Sequence, residues 1–249
     1  MMIFSMVEID LLTRGELKGA LIGLGLNYLV LSSLIIGLSS FLGDESLRQG
    51  FVVMAAVPPA VAVLPLTKLL KGDSCLSLYA EAVCYLASLV LMPGIIFAFT
   101  SRTDVSLSYI SEISLLLILL PIIVSRFLRG YRLDTVPPIN LGFFLVTYTV
   151  IGLNTQAIFG DVTAVALIAF VRTFVIGAVV FSITSLAGEE AEKRVSYTLL
   201  ASFKNLGMAA AVSLILFGPK AGIPAAVCIL AETSFYIFFA AVRHHGILI

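Results

Sequence analysis

Along the chain, apolar runs of about twenty residues alternate with short polar clusters. The runs show neither the two-residue alternation of a half-buried strand nor the polar face of a water-exposed helix. A helix crosses the roughly 30 Å hydrocarbon core of a bilayer with about 20 residues. Eight such crossings are predicted, over 17–39, 50–71, 75–99, 108–128, 137–157, 162–186, 195–217 and 221–242. Continuous apolarity favours helices over the strands of a barrel, which alternate lipid-facing and lumen-facing residues.

Composition points the same way. Of 249 residues, 60% are hydrophobic and 12% charged, with a mean hydropathy of +1.11, against about 45–50% and about 25% in a soluble domain. Such a chain cannot coat itself in water and reads as an integral membrane protein whose first partner is the lipid bilayer. Lys plus Arg and Asp plus Glu both total 15, so the basic excess of a nucleic-acid binder is absent. Disordered, collagenous and disulfide-stapled classes are excluded by the same composition. Cys75, Cys84 and Cys228 lie inside or at the edge of apolar runs without CxxC spacing and read as small buried hydrophobes. Neither a disulfide framework nor a metal site is expected.

Basic residues orient the spans. Arg14, Lys18, Lys68, Lys71, Arg126, Arg129, Arg132, Lys193, Arg194 and Arg243 fall on the side of the N-terminus, Arg48, Arg102 and Lys220 on the other, and Arg172 and Lys204 within spans. The positive-inside rule then places both termini in the cytoplasm, with the plasma membrane as the expected location. Residues 1–7 are apolar but too short to cross, and no signal-peptide pattern follows.

Two spans break their own rules. Pro58 and Pro59, with Pro65 beyond them, should stop the second near Val57. Lys204, Asn205 and Gly207 interrupt the seventh. Opened backbone in a membrane is tolerated only against protein or a water-filled cavity, and paired interruptions in corresponding places of two halves point to a transporter's binding site. The second and seventh spans are the middle members of two three-helix units, five spans apart in order. An odd offset reverses topology, as an inverted repeat requires. A proline-kinked structural helix is the plainer alternative for the second span. Glu81, Arg172, Lys204 and Glu232 also sit well inside spans. Each costs about 2.5–3.5 kcal/mol or more if ionised and unpaired at mid-bilayer. Their charges sum to zero, so pairing is open to them, whether for function or merely to hold helices together.

The order of these features resembles the bile acid:sodium symporter family, within the wider superfamily of bile acid, arsenite and auxin carriers. The likeness rests on Lys71-Gly72-Asp73 followed by Leu76-Ser77, on the stretch from Ala191 to Gly207 with its Asn205, and on Leu119-Leu120-Pro121-Ile122. It implies an all-α polytopic fold in which two discontinuous helices cross at mid-membrane. The implied parts are the tail of a truncated panel helix over 1–16, core repeat 1 over 17–100, panel helices over 101–158 and core repeat 2 over 159–249. Met1 to Asp10 resembles the end of the family's second helix, so that about one and a half helices are expected to be missing.

The resemblance also implies a secondary transporter that works by alternating access, and it puts the family's sodium sites in doubt. Where the family has a Ser-Asn pair this chain has Val63 and Leu64; Leu200 stands for a Glu, Lys204 for a Gln and Glu81 for a Thr. Only Ser77 and Asn27 still offer oxygen at those positions. A hard cation needs several oxygens at once, so no cofactor is expected and sodium is doubtful. A Glu81–Lys204 ion pair is expected in its place, with Arg172 and Glu232 as a second pair. Substrate, a small organic anion, is expected near Pro58, Pro59, Lys204 and Asn205, where half-helix N-termini favour negative charge. A transport-inactive membrane subunit of the same fold is the rival reading. An enzyme is not expected, because the chain has no HExxH, no pair of intramembrane aspartates and no Ser-His couple; His244 and His245 sit together at the C-terminal tail.

Overall fold

The structure, a computed structural model, describes residues 17–100, 106–128, 136–153 and 162–244. The expected N-terminal tail at 1–16 lies outside the described residues, as do the segments 101–105, 129–135, 154–161 and 245–249. The described residues are helical, with no strand among them. In chain order they form α1 (Leu17–Ser39), α2 (Glu45–Ala56), α3 (Val63–Leu69), α4 (Ser74–Phe99), α5 (Leu107–Leu128), α6 (Val136–Leu153), α7 (Thr163–Leu186), α8 (Ala191–Ser202), α9 (Leu206–Phe217) and α10 (Ile223–His244).

Among the described residues six stretches are long and apolar enough to cross a membrane: α1, α4, α5, α7, α8 with α9, and α10 with the short turn before it. They correspond to six of the eight expected crossings. The stretch at 50–71 is divided into α2 and α3, neither long enough alone. The stretch at 137–157 is described as α6 as far as Leu153, and its last four residues lie outside the described residues. Exposed Leu29, Val90, Phe127, Leu186 and Leu230 lie on the outer faces of these helices, where lipid rather than water is the natural neighbour.

Burial sorts the helices by position. Within Ala191–Phe217, 83% of the most apolar stretch is buried, against 19–39% in the other five candidates. Residues 47 and 49–60 are buried without a break, as are 195–210. The two interrupted helices thus form the centre, and the long helices form the wall around it. α1 packs on α4 and α2, α2 on α4 and α9, and α7 on α8 and α10.

Both wall helices that open a three-helix series widen in mid-course. α1 is π-helical over Gly25–Leu31, and α7 over Val171–Val175. A π-turn accommodates one extra residue and re-aims the side chains around it. Asn27 in the first, and Arg172 and Thr173 in the second, are fully buried.

The ends of the central helices are pinned. Lys71 adopts the left-handed conformation at φ 52°, and Gly72 N–H closes the end of α3 on Thr67 O at 2.8 Å. Asp73 then caps α4 by accepting from Leu76 N at 2.9 Å. The same turn is tied to the start of α8, with Asp73 N donating to Glu192 O at 3.0 Å and Ser196 Oγ to Asp73 O at 2.9 Å. A β-carbon on Gly72 would lie 2.9 Å from both Thr67 Cγ2 and Val195 Cγ1, so the closeness of that turn requires glycine.

At the opposite end Asp44 caps α2 through Leu47 N at 3.1 Å and forms an ion pair with Lys220. Burial pushes the Asp44 carboxyl up, but Lys220 and the N–H groups of Leu47 and Ser46 outweigh it and hold it below the ordinary value. A depressed carboxyl stabilises the fold above its unfolded pKa, about 3.9, and that contribution is lost as pH falls through the lower folded value. Wild-type protein is therefore expected to lose more stability than Asp44→Asn between about pH 4 and pH 2, read as apparent melting temperature in detergent.

One sequence expectation fails among the cysteines. Cys84 and Cys228 are buried, but Cys75 is exposed, because it sits in the first turn of α4, where the wall helix emerges.

Candidate functional site

The site begins with two missing backbone donors. In an unbroken helix the carbonyls of Met54 and Ala55 would accept from the N–H groups of residues 58 and 59, and both are proline. The residue before a proline also prefers extended backbone, and Val57 adopts φ −71°, ψ 155°. α2 therefore stops at Ala56, and carbonyl oxygens at its C-terminal end point away from the helix without intrahelical partners. α8 stops at Ser202 without a proline, where Phe203 turns extended at φ −115°, ψ 132°. α9 restarts behind Asn205, whose Oδ1 accepts from Met208 N at 3.0 Å.

The two interruptions touch. Asn205 N donates to Pro58 O at 2.9 Å. Asn205 Nδ2 donates to Tyr85 Oη at 2.8 Å, and Tyr85 Oη donates to Pro59 O at 3.3 Å. Pro58, Pro59 and Asn205 are thus joined through backbone and through the α4 tyrosine.

Lys204 fills the space beside this junction and is fully buried. Its Nζ donates to Asn27 Oδ1 at 2.8 Å, Ala55 O at 2.9 Å, Val57 O at 2.9 Å and Ser32 Oγ at 3.0 Å. The Tyr28 ring lies beneath it, 4.4 Å from nitrogen to centroid, a cation–π distance. Asn27 is oriented by its own amide, whose Nδ2 donates to Leu200 O at 2.8 Å and Phe203 O at 3.2 Å at the end of α8. Ser32 directs its single hydrogen to Ala55 O at 2.6 Å or Asn27 O at 3.0 Å. Every neighbour of Nζ is therefore an acceptor, which fits an ammonium and leaves no donor for the lone pair of a neutral amine.

The expected Glu81–Lys204 ion pair is corrected by this geometry, for no carboxylate is among the four oxygens on the ammonium. Two backbone carbonyls at the end of α2 and the side-chain oxygens of Asn27 and Ser32 take the carboxylate's place. Glu81 instead accepts the Leu64 N–H at 2.8 Å on Oε1, in the first turn of α3. Ser77, one turn earlier on α4, shares a hydrogen bond of 2.9 Å with Thr67 Oγ1 of α3. Both residues hold the second half of the interrupted helix against α4, apart from the oxygens around Lys204.

Arg172 and Glu232 do meet, Arg172 Nη2 against Glu232 Oε1, linking the π-turn of α7 to α10. Glu232 Oε1 also accepts Lys204 N at 3.0 Å, so one carboxylate oxygen serves both the guanidinium and the opened backbone between α8 and α9. Among the described residues Arg172 Nε and Nη1 meet no oxygen or nitrogen acceptor.

No family model matches the chain, and no curated protein matches it.

Of the nine residues singled out from sequence, Asn27, Pro58, Pro59, Lys204, Asn205, Arg172 and Glu232 belong to one connected network, while Ser77 and Glu81 stand on the neighbouring α3–α4 contact. Sequence reasoning missed Ser32, Tyr28 and Tyr85. Each is a polar group inside an otherwise apolar run, and that was the available signal. The carbonyls of Ala55 and Val57 carry no such mark, since every residue has one. Among the described residues no group of three or more His, Cys, Asp or Glu side chains gathers as a metal site would need.

Proposed function

We propose that this chain is a secondary membrane transporter of the kind represented by bile acid:sodium symporters, moving a small organic anion by alternating access. The observation that carries the reading is the contact between two interrupted helices, Asn205 N on Pro58 O, in the most deeply buried part of a helical membrane protein. Open backbone at membrane depth has a cost that a purely structural bundle has no reason to accept, and transporters place their sites at such interruptions. The order of elements adds support. A helix with a π-turn, an interrupted helix and a long helix recur as α1, α2 with α3, α4 and again as α7, α8 with α9, α10, a repetition that we take as the two halves of an inverted repeat. α5 and α6 would then belong to the panel against which the core moves.

The anionic cargo follows from the half-helix ends. The start of α3 already holds a carboxylate, that of Glu81, as the positive end of a helix favours. The family's sodium coupling would be lost, since Lys204 takes the oxygens and Val63, Leu64 and Leu200 bring buried aliphatic side chains where the family has ligands. The proposal places the protein in the plasma membrane with both termini cytoplasmic.

The test is uptake of a panel of small radiolabelled carboxylates into proteoliposomes, with and without a sodium gradient. The expected result is saturable uptake of at least one carboxylate at a rate unchanged by sodium, lost in Lys204→Ala. Absence of uptake and of exchange for every carboxylate, by protein shown to be folded, would instead favour the transport-inactive membrane subunit.

A further inference from the structure

The four oxygens on Lys204 form a cation site that does not depend on the lysine for its shape. Two are backbone carbonyls at the end of α2: Ala55 O, whose helical donor would be residue 59, a proline, and Val57 O, in the extended residue just past the helix. The third, Asn27 Oδ1, is aimed by an amide group anchored on two carbonyls of α8. The fourth, Ser32 Oγ, is turned by its hydrogen bond to the backbone. An ammonium has only three hydrogens, yet four oxygens stand 2.8–3.0 Å from the nitrogen, with the Tyr28 ring at 4.4 Å on a further side. More ligands than hydrogens is what ion coordination looks like. Directed hydrogen bonding alone would not call for the excess.

We infer that this cage is a monovalent-cation site with a tethered occupant, and that removing the Lys204 side chain opens it to a free cation of ammonium size. The distances select that size. Calcium takes oxygens at about 2.3–2.6 Å and magnesium at about 2.0–2.1 Å, and both bring two charges where one is removed. The smaller sodium ion needs its oxygens closer than backbone carbonyls fixed by a helix end allow. Potassium and ammonium fit the spacing observed, and carbonyl oxygens replace the hydration shell of potassium well. The tether has a consequence for the intact protein: its core holds the cation at all times, at a local concentration no medium can change. This inference concerns the resting structure and stands whether or not the chain transports.

The experiment compares full-length wild type and Lys204→Ala in detergent, melted in equimolar potassium, ammonium, sodium or choline chloride. Wild type is expected to melt at one temperature in all four salts. Lys204→Ala is expected to melt lower in choline and to rise by about 5–10 °C at saturating potassium or ammonium, with a smaller response to sodium. Lys204→Met, which refills the space without charge, is expected not to respond, and Lys204→Ala combined with Asn27→Ala is expected to lose the response. Recovery of folded Lys204→Ala only from potassium or ammonium buffers would support the site equally. Identical melting of Lys204→Ala in all salts, its failure to fold in any of them, or a response that survives Asn27→Ala would overturn the inference. A cation-specific stabilisation of wild type, or a sodium response larger than that of potassium, would overturn it as well.

Discussion

Replacing Glu232 by alanine is expected to destabilise the protein by about 3–5 kcal/mol, the cost of leaving one member of a buried ion pair without its partner. Glu232 is expected to sit at the upper end of that range because its Oε1 serves two donors. Its loss strands the Arg172 guanidinium, which is fully buried and already short of partners at Nε and Nη1. It also strands the Lys204 N–H between α8 and α9. A second substitution separates the two effects. Arg172→Met in the Glu232→Ala background removes the orphaned charge and is expected to recover most of the loss, since an apolar replacement of a whole ion pair is often neutral or better. About 1–3 kcal/mol should remain, the cost of the backbone N–H still lacking an acceptor. Denaturant unfolding of the two single variants and the double variant measures all three values. If Glu232→Ala costs less than about 1 kcal/mol, the pair does not hold α7 to α10.

Gly50→Ala is expected to cost about 1–3 kcal/mol, as overpacking of a filled core does. The cause is backbone against backbone. A β-carbon on Gly50 would stand 2.1 Å from the carbonyl oxygen of Ala221 and 3.1 Å from Pro224 Cγ. A flexible side chain could swing aside, but the carbonyl belongs to the tight turn Pro219–Gly222 before α10 and cannot. Relief would require α2 to move off that turn, disturbing the Asp44–Lys220 contact beside it. Gly37→Ala is the matching control. No atom lies within 4 Å of its β-carbon position, and alanine is favoured over glycine in a helix by up to about 1 kcal/mol, so this variant is expected to be neutral or more stable. Equal responses of the two glycines in thermal melts would remove the close approach as an explanation.

How far the structure could be read from sequence depends on which group carries each contact. The helical class was plain, because apolar runs of bilayer length have few other solutions. The interruption at Pro58 and Pro59 was visible since a residue without an N–H cannot continue a helix, and that at Lys204 since a cation in an apolar run needs an explanation. Arg172 and Glu232 were paired correctly by charge. The partners of Lys204 were only half legible, for the opposite reason: two of the four are backbone oxygens, of Ala55 and Val57, and carbonyls leave no trace in composition. The π-turns were equally hidden, because one extra residue in a wall helix leaves its hydropathy run unchanged while turning Asn27 and Arg172 inward.

The hydrogen bond from Asn205 to Pro58 and the clasp of Lys204 on the end of α2 together mean that neither interrupted helix can slide along the other without surrendering both. A force applied to one is delivered to its counterpart. Spin labels placed on α2 and α8 should therefore report a single, unvarying separation, and whatever rearrangement the molecule undergoes must take place at the margins of that welded pair.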